Sequence, residues 1–316
     1  MKKFVEKVLV EWTPHWFVFK ILKFIFKNLQ NSNSKFKNQL ISLGQTIELL
    51  EHFVIGRDIL NSHNHFKILG KRKKITFIIT HFNKKDELTN SVASLIDSAN
   101  RILEEKDYDI IVIDDGSPES PINLIEQSNV LYIKILPKNL YGISKCRNLG
   151  AQLAQSDWLT FIDPDFLFAT DYVDNTLKEI NKYDLNTIIS GYIQDYDYIG
   201  APDPRTAFGI WEKPNRRCKR FIHIAGGHLT ISTDKFFEVG GYDEDLIYGG
   251  VEDAILGFEI GERFSSNTDV VYSSNIVVKH IPHQTSSAHL NISMSTAIAT
   301  FRNPNFFVST HINEIR

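Results

Sequence analysis

The chain has 316 residues, of which 42% are hydrophobic and 23% are charged, so it can bury one large core or two small ones. Residues 1–40 contain eight lysines and two glutamates, a net of +6, so residues 41–316 carry −9 of the total charge of −3. An acidic body argues against nucleic-acid binding, which requires an extended basic surface. The two cysteines, Cys146 and Cys218, exclude a disulfide framework and indicate a reducing compartment.

Residues 1–72 are predicted to form a basic, amphipathic helical extension. At helical spacing, Lys20, Lys23 and Lys27 fall within about 60° of each other and leave a broad aromatic and aliphatic face. This segment is too short and too charged to span a bilayer comfortably. One interpretation is a helix of residues 1–30 that lies in the anionic inner face of the cell membrane, which predicts a cytoplasmic, peripheral protein. The other is a helix that docks on the protein's own body or on a partner subunit.

After this extension, short apolar runs alternate with segments of helical character. The predicted strands are Ile75–Thr80, Asp109–Ile113, Val130–Ile135 and Trp158–Ile162, and the predicted helices are Asp86–Glu105, Ser144–Gln155 and Glu252–Ile260. Such alternation predicts an α/β domain over residues 73–290, built on a single, mainly parallel, Rossmann-like sheet flanked by helices. Residues 291–316 are predicted to be a tail, and Asp195–Lys219, rich in Pro, Asp and Tyr, a long loop.

Two carboxylates follow the fourth predicted strand, in the sequence Asp163-Pro164-Asp165. Residues i and i+2 of an extended chain project to the same side, so both acids can face one point beyond the strand end. Hard oxygen ligands of this kind suit Mg²⁺ or Mn²⁺ shared with substrate phosphates. Asp114 and Asp115 end the second strand in the same way, and ligands of such sheets bind beyond the carboxyl ends of the strands.

The order of the motifs resembles family 2-type glycosyltransferases of the GT-A fold, in particular the branch that shares a C-terminal half with β-1,4-galactosyltransferases and bacterial chondroitin-type polymerases. The motifs that carry this resemblance are Thr80-His-Phe-Asn83, Asp114-Asp115-Gly-Ser, Asn139-Leu-Tyr-Gly, Arg147-Asn148-Leu-Gly, Asp163-Pro-Asp165, Gly226-Gly227-His-Leu-Thr, Gly240-Gly241-Tyr-Asp-Glu and Gly249-Gly250-Val-Glu252-Asp253. The resemblance covers about Lys74 to His283.

The resemblance implies a role for each of these motifs. The donor nucleotide sugar, expected to be UDP-linked, would be bound by Thr80, Asn83, Asp114, Asp115, Asn139, Arg147, Asn148 and Asp163. Asp165 would be the direct ligand of Mn²⁺ or Mg²⁺, with Asp163 nearby and a histidine from downstream, either His280 or His283. Arg147 either pairs with the donor diphosphate or steadies the acidic cluster.

Asp253 is the predicted catalytic base, because a carboxylate at a helix N-terminus stays ionised and can take the proton of an acceptor hydroxyl. By resemblance, Glu252 helps to hold the acceptor. Gly226, Gly227 and Tyr248 are further candidates for acceptor binding, as is Trp211, which is either a sugar-stacking platform or a loop anchor. Where the galactosyltransferase branch has a tryptophan this sequence has Gly249, which leaves the acceptor open.

Together these features predict an inverting, metal-dependent glycosyltransferase of surface polysaccharide or glycolipid synthesis, acting on a glycan or lipid-linked acceptor. Two alternatives remain. A sugar-1-phosphate nucleotidyltransferase shares the sheet architecture but requires a glycine-rich loop after the first strand, where this chain has Thr80-His-Phe-Asn-Lys-Lys. A carbohydrate-binding scaffold without activity would release no nucleotide from a donor.

Overall fold

The computed structural model describes residues 72–104, 107–119, 129–135, 142–194, 203–246 and 250–281, together with residues 296 and 299. Its strands are Lys73–His81 (β1), Tyr108–Asp114 (β2), Val130–Lys134 (β3), Ser156–Ile162 (β4), Phe166–Phe168 (β5), Thr187–Gln194 (β6), Arg217–Cys218 (β7), His228–Ser232 (β8) and Asp269–His280 (β9). Its α-helices are Lys85–Ala99 (α1), Gly142–Leu153 (α2), Tyr172–Lys182 (α3), Thr233–Glu238 (α4) and Glu252–Phe264 (α5). The predicted N-terminal extension and almost all of the tail lie outside these ranges and stay predictions.

The first half of the sheet is parallel, as the sequence predicts. The strand order is β3-β2-β1-β4, and each neighbouring pair is parallel. In this register His81 is opposite Asp114, and Ile79 is opposite Ile162, the residue before Asp163. The polar residues that follow β1, β2 and β4 therefore meet at one edge of the sheet.

The second half of the sheet is mixed, so the predicted parallel arrangement is continuous only over β1 to β4. β8 is antiparallel to both β4 and β6, β6 is parallel to β9, and β5 and β7 are antiparallel to β9. The apolar pattern of a buried strand does not disclose its direction, because both faces of each strand are covered in either case. The antiparallel β8 begins where β4 ends, so the Gly226–Gly227 turn lies against Asp163.

Helices cover both faces of the sheet, because successive residues of a strand point to opposite faces. On one face, α1 and α3 share a core cluster with Ile75, Phe77 and Ile79 of β1, in which α1 contacts β5 and α3 contacts β9. On the other face, α2 packs on β1, including Ile78, and α4 packs on β4 and β8. Gly150 of α2 permits this packing, since a Cβ there would lie 2.4 Å from Ile78 Cγ2. No helix among the described residues is long and apolar enough to cross a bilayer.

The predicted long loop is more ordered than expected over its described part, residues 203–219. It contains two short 3₁₀ turns and β7, and it is fixed by the buried Arg205. The guanidinium of Arg205 donates to both carboxylate oxygens of Asp203, to Ser190 Oγ at 2.7 Å and to the backbone carbonyl of Gly191. Ser190 Oγ in turn accepts a hydrogen bond from the backbone N–H of Ala225 at 3.1 Å. This network connects the loop to the turn that precedes β8.

Candidate active site

The structure brings together acids that are far apart in the sequence. Residues from four places meet at the carboxyl edge of the parallel strands: Asp163 and Asp165 after β4, Arg147 from α2, Gly226 and Gly227 before β8, and Glu252 and Asp253 at the start of α5. Asp163 and Glu252 are joined directly by the side chain of Arg147.

Arg147 is almost fully buried at the centre of this cluster. Its Nη1 donates to Glu252 Oε1 at 2.8 Å, and its Nη2 donates to Asp163 Oδ1 at 3.1 Å. Its guanidinium also lies 5.1 Å from the centre of the Tyr242 ring. Burial alone would lower the pKa of Arg147, but Tyr242 and the surrounding carboxylates outweigh it and raise the pKa, so the group stays charged. Two roles were predicted for Arg147, pairing with the donor diphosphate and stabilising the acidic cluster. Its contacts agree with the second role.

Gly226 and Gly227 give the acids room to approach the backbone. A Cβ on Gly227 would lie 2.0 Å from Asp163 Oδ2, and one on Gly226 would lie 2.6 Å from Arg147 Nη1. The backbone carbonyl of Gly227 also accepts a hydrogen bond from the N–H of Asp163 at 3.1 Å. The two glycines therefore serve the packing of the cluster, whatever they contribute to acceptor binding.

We expect Gly227→Ala to destabilise the protein by about 1–3 kcal/mol, the range for an extra methyl group forced into a packed site. Because the added Cβ would push on the Asp163 carboxylate, binding of a donor nucleotide should weaken as well. Denaturant unfolding and nucleotide titration measure the two effects. Gly261→Ala in α5 is the control, since its Cβ would meet Phe221 at an ordinary 3.4 Å. Equal stability of the two variants would contradict this prediction.

Asp253, at the N-terminus of α5, accepts hydrogen bonds from two backbone N–H groups. Gly226 donates to its Oδ2 at 3.1 Å, and Ala254 donates to its Oδ1 at 2.7 Å. Burial, together with the neighbouring charge of Glu252, raises the pKa of Asp253 to about 6, although the hydrogen bond from Gly226 opposes this rise. The carboxylate is still mainly ionised at pH 7, as predicted. It is also a better proton acceptor than a carboxylate of ordinary pKa, because its pKa lies near neutral pH.

Both carboxylate oxygens of Glu252 have partners inside the protein. Its Oε1 accepts from Arg147, its Oε2 accepts from the backbone N–H of Gly250 at 2.6 Å, and the side chain is buried. These contacts hold the start of α5 against α2. The role that the resemblance implied for Glu252, contact with the acceptor, stays a prediction.

The predicted metal ligands Asp165 and His280 lie beside each other. Phe166 is opposite His280 in the β5–β9 register, and His280 Nε2 is 3.7 Å from Oδ2 of the buried Asp165. The same Oδ2 forms an ion pair with the ammonium of Lys84. Burial and the carboxylates of Asp165 and Glu252 raise the pKa of Asp163, although Arg147 opposes the rise.

The donor atoms of Asp165 and His280 fit a divalent cation that takes its remaining ligands from a substrate. A carboxylate and an imidazole suit Mn²⁺, whereas Mg²⁺ favours oxygen ligands alone. Within the ranges that the structure describes, no group of three or more His, Cys, Asp and Glu side chains could hold a metal ion without help.

The two aspartates after β2 have different environments. Asp114 is fully buried, and its carboxylate accepts from the backbone N–H of Ser117 at 2.7 Å and from the hydroxyl of Tyr132. Burial would raise the pKa of Asp114, but these hydrogen bonds outweigh it and lower the pKa. Asp115 is partly exposed and accepts from the backbone N–H of Gly142 at 3.0 Å. Of the pair, Asp115 is therefore the one that can meet a ligand.

A pocket lies beside the end of β1. Its volume is about 420 Å³, and it is lined by Asn83, Lys85, Asp86, Glu87, Pro118 and Glu119. Asn83 is exposed with a φ of 54°, and its backbone N–H donates to Ser117 Oγ at 2.7 Å, whereas Thr80 is buried. Phe82, which the sequence analysis did not select, is 55% exposed at the same strand end. The sequence offers one indication of Phe82 as a site residue, since it is a large aromatic residue between two polar residues after a buried strand.

Two other predicted site residues are engaged in the protein interior. The amide of Asn148 donates to the backbone carbonyl of Tyr242 at 2.9 Å and to Glu244 Oε1 at 3.0 Å, and accepts from the N–H of Tyr242. Trp211 is partly exposed and packs against Tyr192, Tyr272 and Arg205, so it anchors the loop. The donor role of Asn148 and the sugar-stacking role of Trp211 stay predictions. Asn139, Tyr248 and His283 lie outside the described residues.

The fold of the described residues agrees with that of a solved glycosyltransferase structure. The crystal structure of GalNAc-T7 with UDP, GalNAc and Mn²⁺ superposes with a TM-score of 0.52 at 18% sequence identity, covering 72% of this chain and 48% of that one. At this level of identity the likeness concerns the fold alone. The described part of the chain is a GT-A fold, as the sequence motifs predicted.

A family model for glycosyl transferase family 2 matches residues 76–238, and the chain belongs to that family. The TarP poly(ribitol-phosphate) beta-N-acetylglucosaminyltransferase of Staphylococcus aureus (strain N315) is 26% identical over 235 residues, covering 71% of this chain and 68% of TarP. Chondroitin synthase of Pasteurella multocida (strain Pm70) is 24% identical over 230 residues, covering 61% of this chain but only 23% of that protein. The chain thus spans less than a quarter of the length of the synthase.

Proposed function

We propose that this chain transfers a sugar from a nucleotide-sugar donor, a UDP-sugar in particular, to a glycan or glycolipid acceptor with inversion at the anomeric carbon. The observation that carries this proposal is the ionic cluster in which Arg147 joins Asp163 to Glu252. Asp163 lies two residues before Asp165, which we propose as a ligand of the cation. Glu252 directly precedes Asp253, which we propose as the proton acceptor. This cluster supports a displacement reaction in which the leaving-group side and the acceptor side would lie next to each other.

The donor nucleotide is proposed to bind at the ends of β1 and β2. The exposed ring of Phe82 can stack on a base, because every base offers a flat π-face. The partly exposed carboxylate of Asp115 can accept a hydrogen bond from the N–H of uracil, and Asn83 adds an exposed amide that donates and accepts. These proposed contacts with uracil are the reason why we prefer a UDP-sugar over other nucleotide sugars.

The side chains that would hold a divalent cation are Asp165 and His280, with Asp163 beside them. Mn²⁺ is our first choice and Mg²⁺ the alternative, because an imidazole ligand is less suited to Mg²⁺. When bound, such a cation stabilises the negative charge that grows on the departing nucleoside diphosphate. The presence of UDP and Mn²⁺ in the GalNAc-T7 structure supports this choice for a related fold.

Asp253 is proposed to take the proton of the acceptor hydroxyl as that hydroxyl attacks the sugar. Its carboxylate is ionised at neutral pH, and Gly226 and Gly227 leave space at the backbone beside it. One base acting in a single displacement gives inversion. The similarity to TarP, whose name specifies a β linkage, supports the same outcome here.

The acceptor class is proposed from the kind of product that the relatives make. One is named for poly(ribitol-phosphate) and the other for chondroitin, and both names describe polymers. We infer that this chain also extends a polysaccharide or glycolipid at the cell surface. Peripheral membrane contact through residues 1–30 would place it near a lipid-linked acceptor, and deletion of those residues, followed by fractionation, tests that contact.

Nucleotide release from a panel of UDP-sugars tests the proposed function. The full chain is incubated with each sugar in Mn²⁺, in Mg²⁺ or in EDTA, and UDP is measured. We expect slow release of UDP from one donor in the presence of metal, and much less from Asp165→Asn. Release of pyrophosphate from UTP and a sugar 1-phosphate would instead indicate a nucleotidyltransferase. No product from either reaction, with intact folding, would indicate a non-catalytic scaffold.

A further inference from the structure

The ammonium of Lys84 is paired with Asp165, one of the two side chains that we propose as metal ligands. Lys84 lies in the short connection between β1 and α1, and its Nζ forms an ion pair with Asp165 Oδ2. The same oxygen lies 3.7 Å from His280 Nε2. The carboxylate of Asp165 is 4% exposed and the side chain of Lys84 is 25% exposed, so the acid is fixed and the lysine has access to solvent.

An ammonium and a divalent cation cannot share this oxygen. Both are attracted to the same buried charge, but they repel each other, and repulsion inside a protein is much stronger than in water. A carboxylate buried without a positive partner is costly, so the lysine has a clear stabilising role when no metal is bound. Lysine suits such exchange, because its compact ammonium is carried on a flexible stem of four carbons.

We propose that Lys84 is an internal counter-cation, which neutralises Asp165 in the metal-free protein and is displaced into solvent when a divalent cation binds. This inference rests on the metal site of the proposed function and assigns to Lys84 the control of metal affinity. The apparent affinity for the metal is proportional to the fraction of molecules in which the ammonium has left Asp165. If the ammonium is in place in about nine tenths of the molecules, removing the lysine should tighten Mn²⁺ binding about tenfold.

Direct titration with Mn²⁺ alone, followed by the electron paramagnetic resonance signal of the free ion, tests this proposal without an activity assay. We expect Lys84→Gln to bind Mn²⁺ about tenfold more tightly than the parental chain, according to the population argument above. Lys84→Arg keeps the charge and should bind like the parental chain. Lys85→Gln is the matched control, because the neighbouring Lys85 pairs with the exposed Glu119 at 3.2 Å, away from Asp165.

A second measurement needs no variant and covers the case in which Lys84→Gln does not fold. Acetylation of lysine amines by a water-soluble reagent is followed by mass spectrometry with and without Mn²⁺. Displacement predicts faster acetylation of Lys84 when Mn²⁺ is present and an unchanged rate at Lys85. Equal or slower acetylation of Lys84 would overturn the proposal.

The outcomes separate this inference from the proposed function. If the parental chain binds Mn²⁺ and Lys84→Gln binds it equally or more weakly, the counter-cation role is wrong and the metal site stands. If none of the variants binds Mn²⁺, with or without UDP, the metal part of the proposed function fails and this inference fails with it. Tighter binding by Lys84→Gln alone, with both controls unchanged, supports both.

Discussion

Replacing Asp253 with Asn should lower the rate of sugar transfer by about 10²–10⁴-fold, the usual contribution of a positioned general base. The amide has the shape of the carboxylate and can still accept the hydrogen bond that Gly226 donates at 3.1 Å. It cannot take a proton from an acceptor hydroxyl. Donor affinity should therefore be unchanged while kcat falls, which titration of the UDP-sugar and steady-state transfer assays would measure separately.

The pH dependence provides an independent check of the same assignment. The pKa of Asp253 is raised to about 6, and its basic form is the active one, so kcat/KM should rise with pH through about 6 and level off above it. The Asp253→Asn variant should not show this rise of kcat/KM with pH. Asp234→Asn is the control, because Asp234 also lies in the first turn of a helix, α4, but is exposed. Transfer by Asp253→Asn at the parental rate would refute its role as the base.

Replacing Arg147 with Met should destabilise the fold by about 3–5 kcal/mol, the range for removing one partner of a buried ion pair. The change leaves Glu252 and Asp163 without the positive charge that compensates their burial. Lys cannot replace Arg here, because an ammonium lacks the planar fork that reaches two acids at once. Chemical denaturation measures the loss, and transfer activity should fall with it.

Two further variants make the prediction for Arg147 specific. Arg101→Met removes an exposed ion pair with Asp97 at 3.2 Å and should cost less than about 1 kcal/mol. Adding Glu252→Gln to Arg147→Met should recover part of the lost stability, since one of the stranded charges is then neutral. If the double variant is no more stable than the single one, the charge of Glu252 is not what Arg147 compensates.

The sequence was informative wherever the chemistry depends on local pattern. Asp163 and Asp165 follow a buried strand, and Asp253 opens a helix, and both features can be read from strand and turn periodicity. The parallel half of the sheet follows from the alternation of strands and helices in the same way. His280 lies beside Asp165 because it ends the strand Asp269–His280, which pairs with the strand that follows Asp165; its role as a metal ligand stays a prediction.

The sequence could not reveal how polar side chains share partners in the folded chain. Asp114 and Asp115 are identical neighbours in the sequence, yet the turn at Ser117 and the hydroxyl of Tyr132 bury one and leave the other partly exposed. Glu252 and Asn148 also connect distant parts of the fold, through hydrogen bonds with Arg147 and Tyr242. These two partners lie about a hundred residues away, so no local pattern indicates the contacts.

The turn before β8 sets the spacing between the two halves of the proposed reaction. The N–H of Gly226 donates to the carboxylate of Asp253, and the carbonyl of Gly227 accepts from the backbone N–H of Asp163, so two consecutive residues of one turn hold both acids. Two consecutive residues span at most about 7 Å, which is a limit imposed by covalent bonds and not by packing. We therefore expect any closure around a donor and an acceptor to come from other parts of the site.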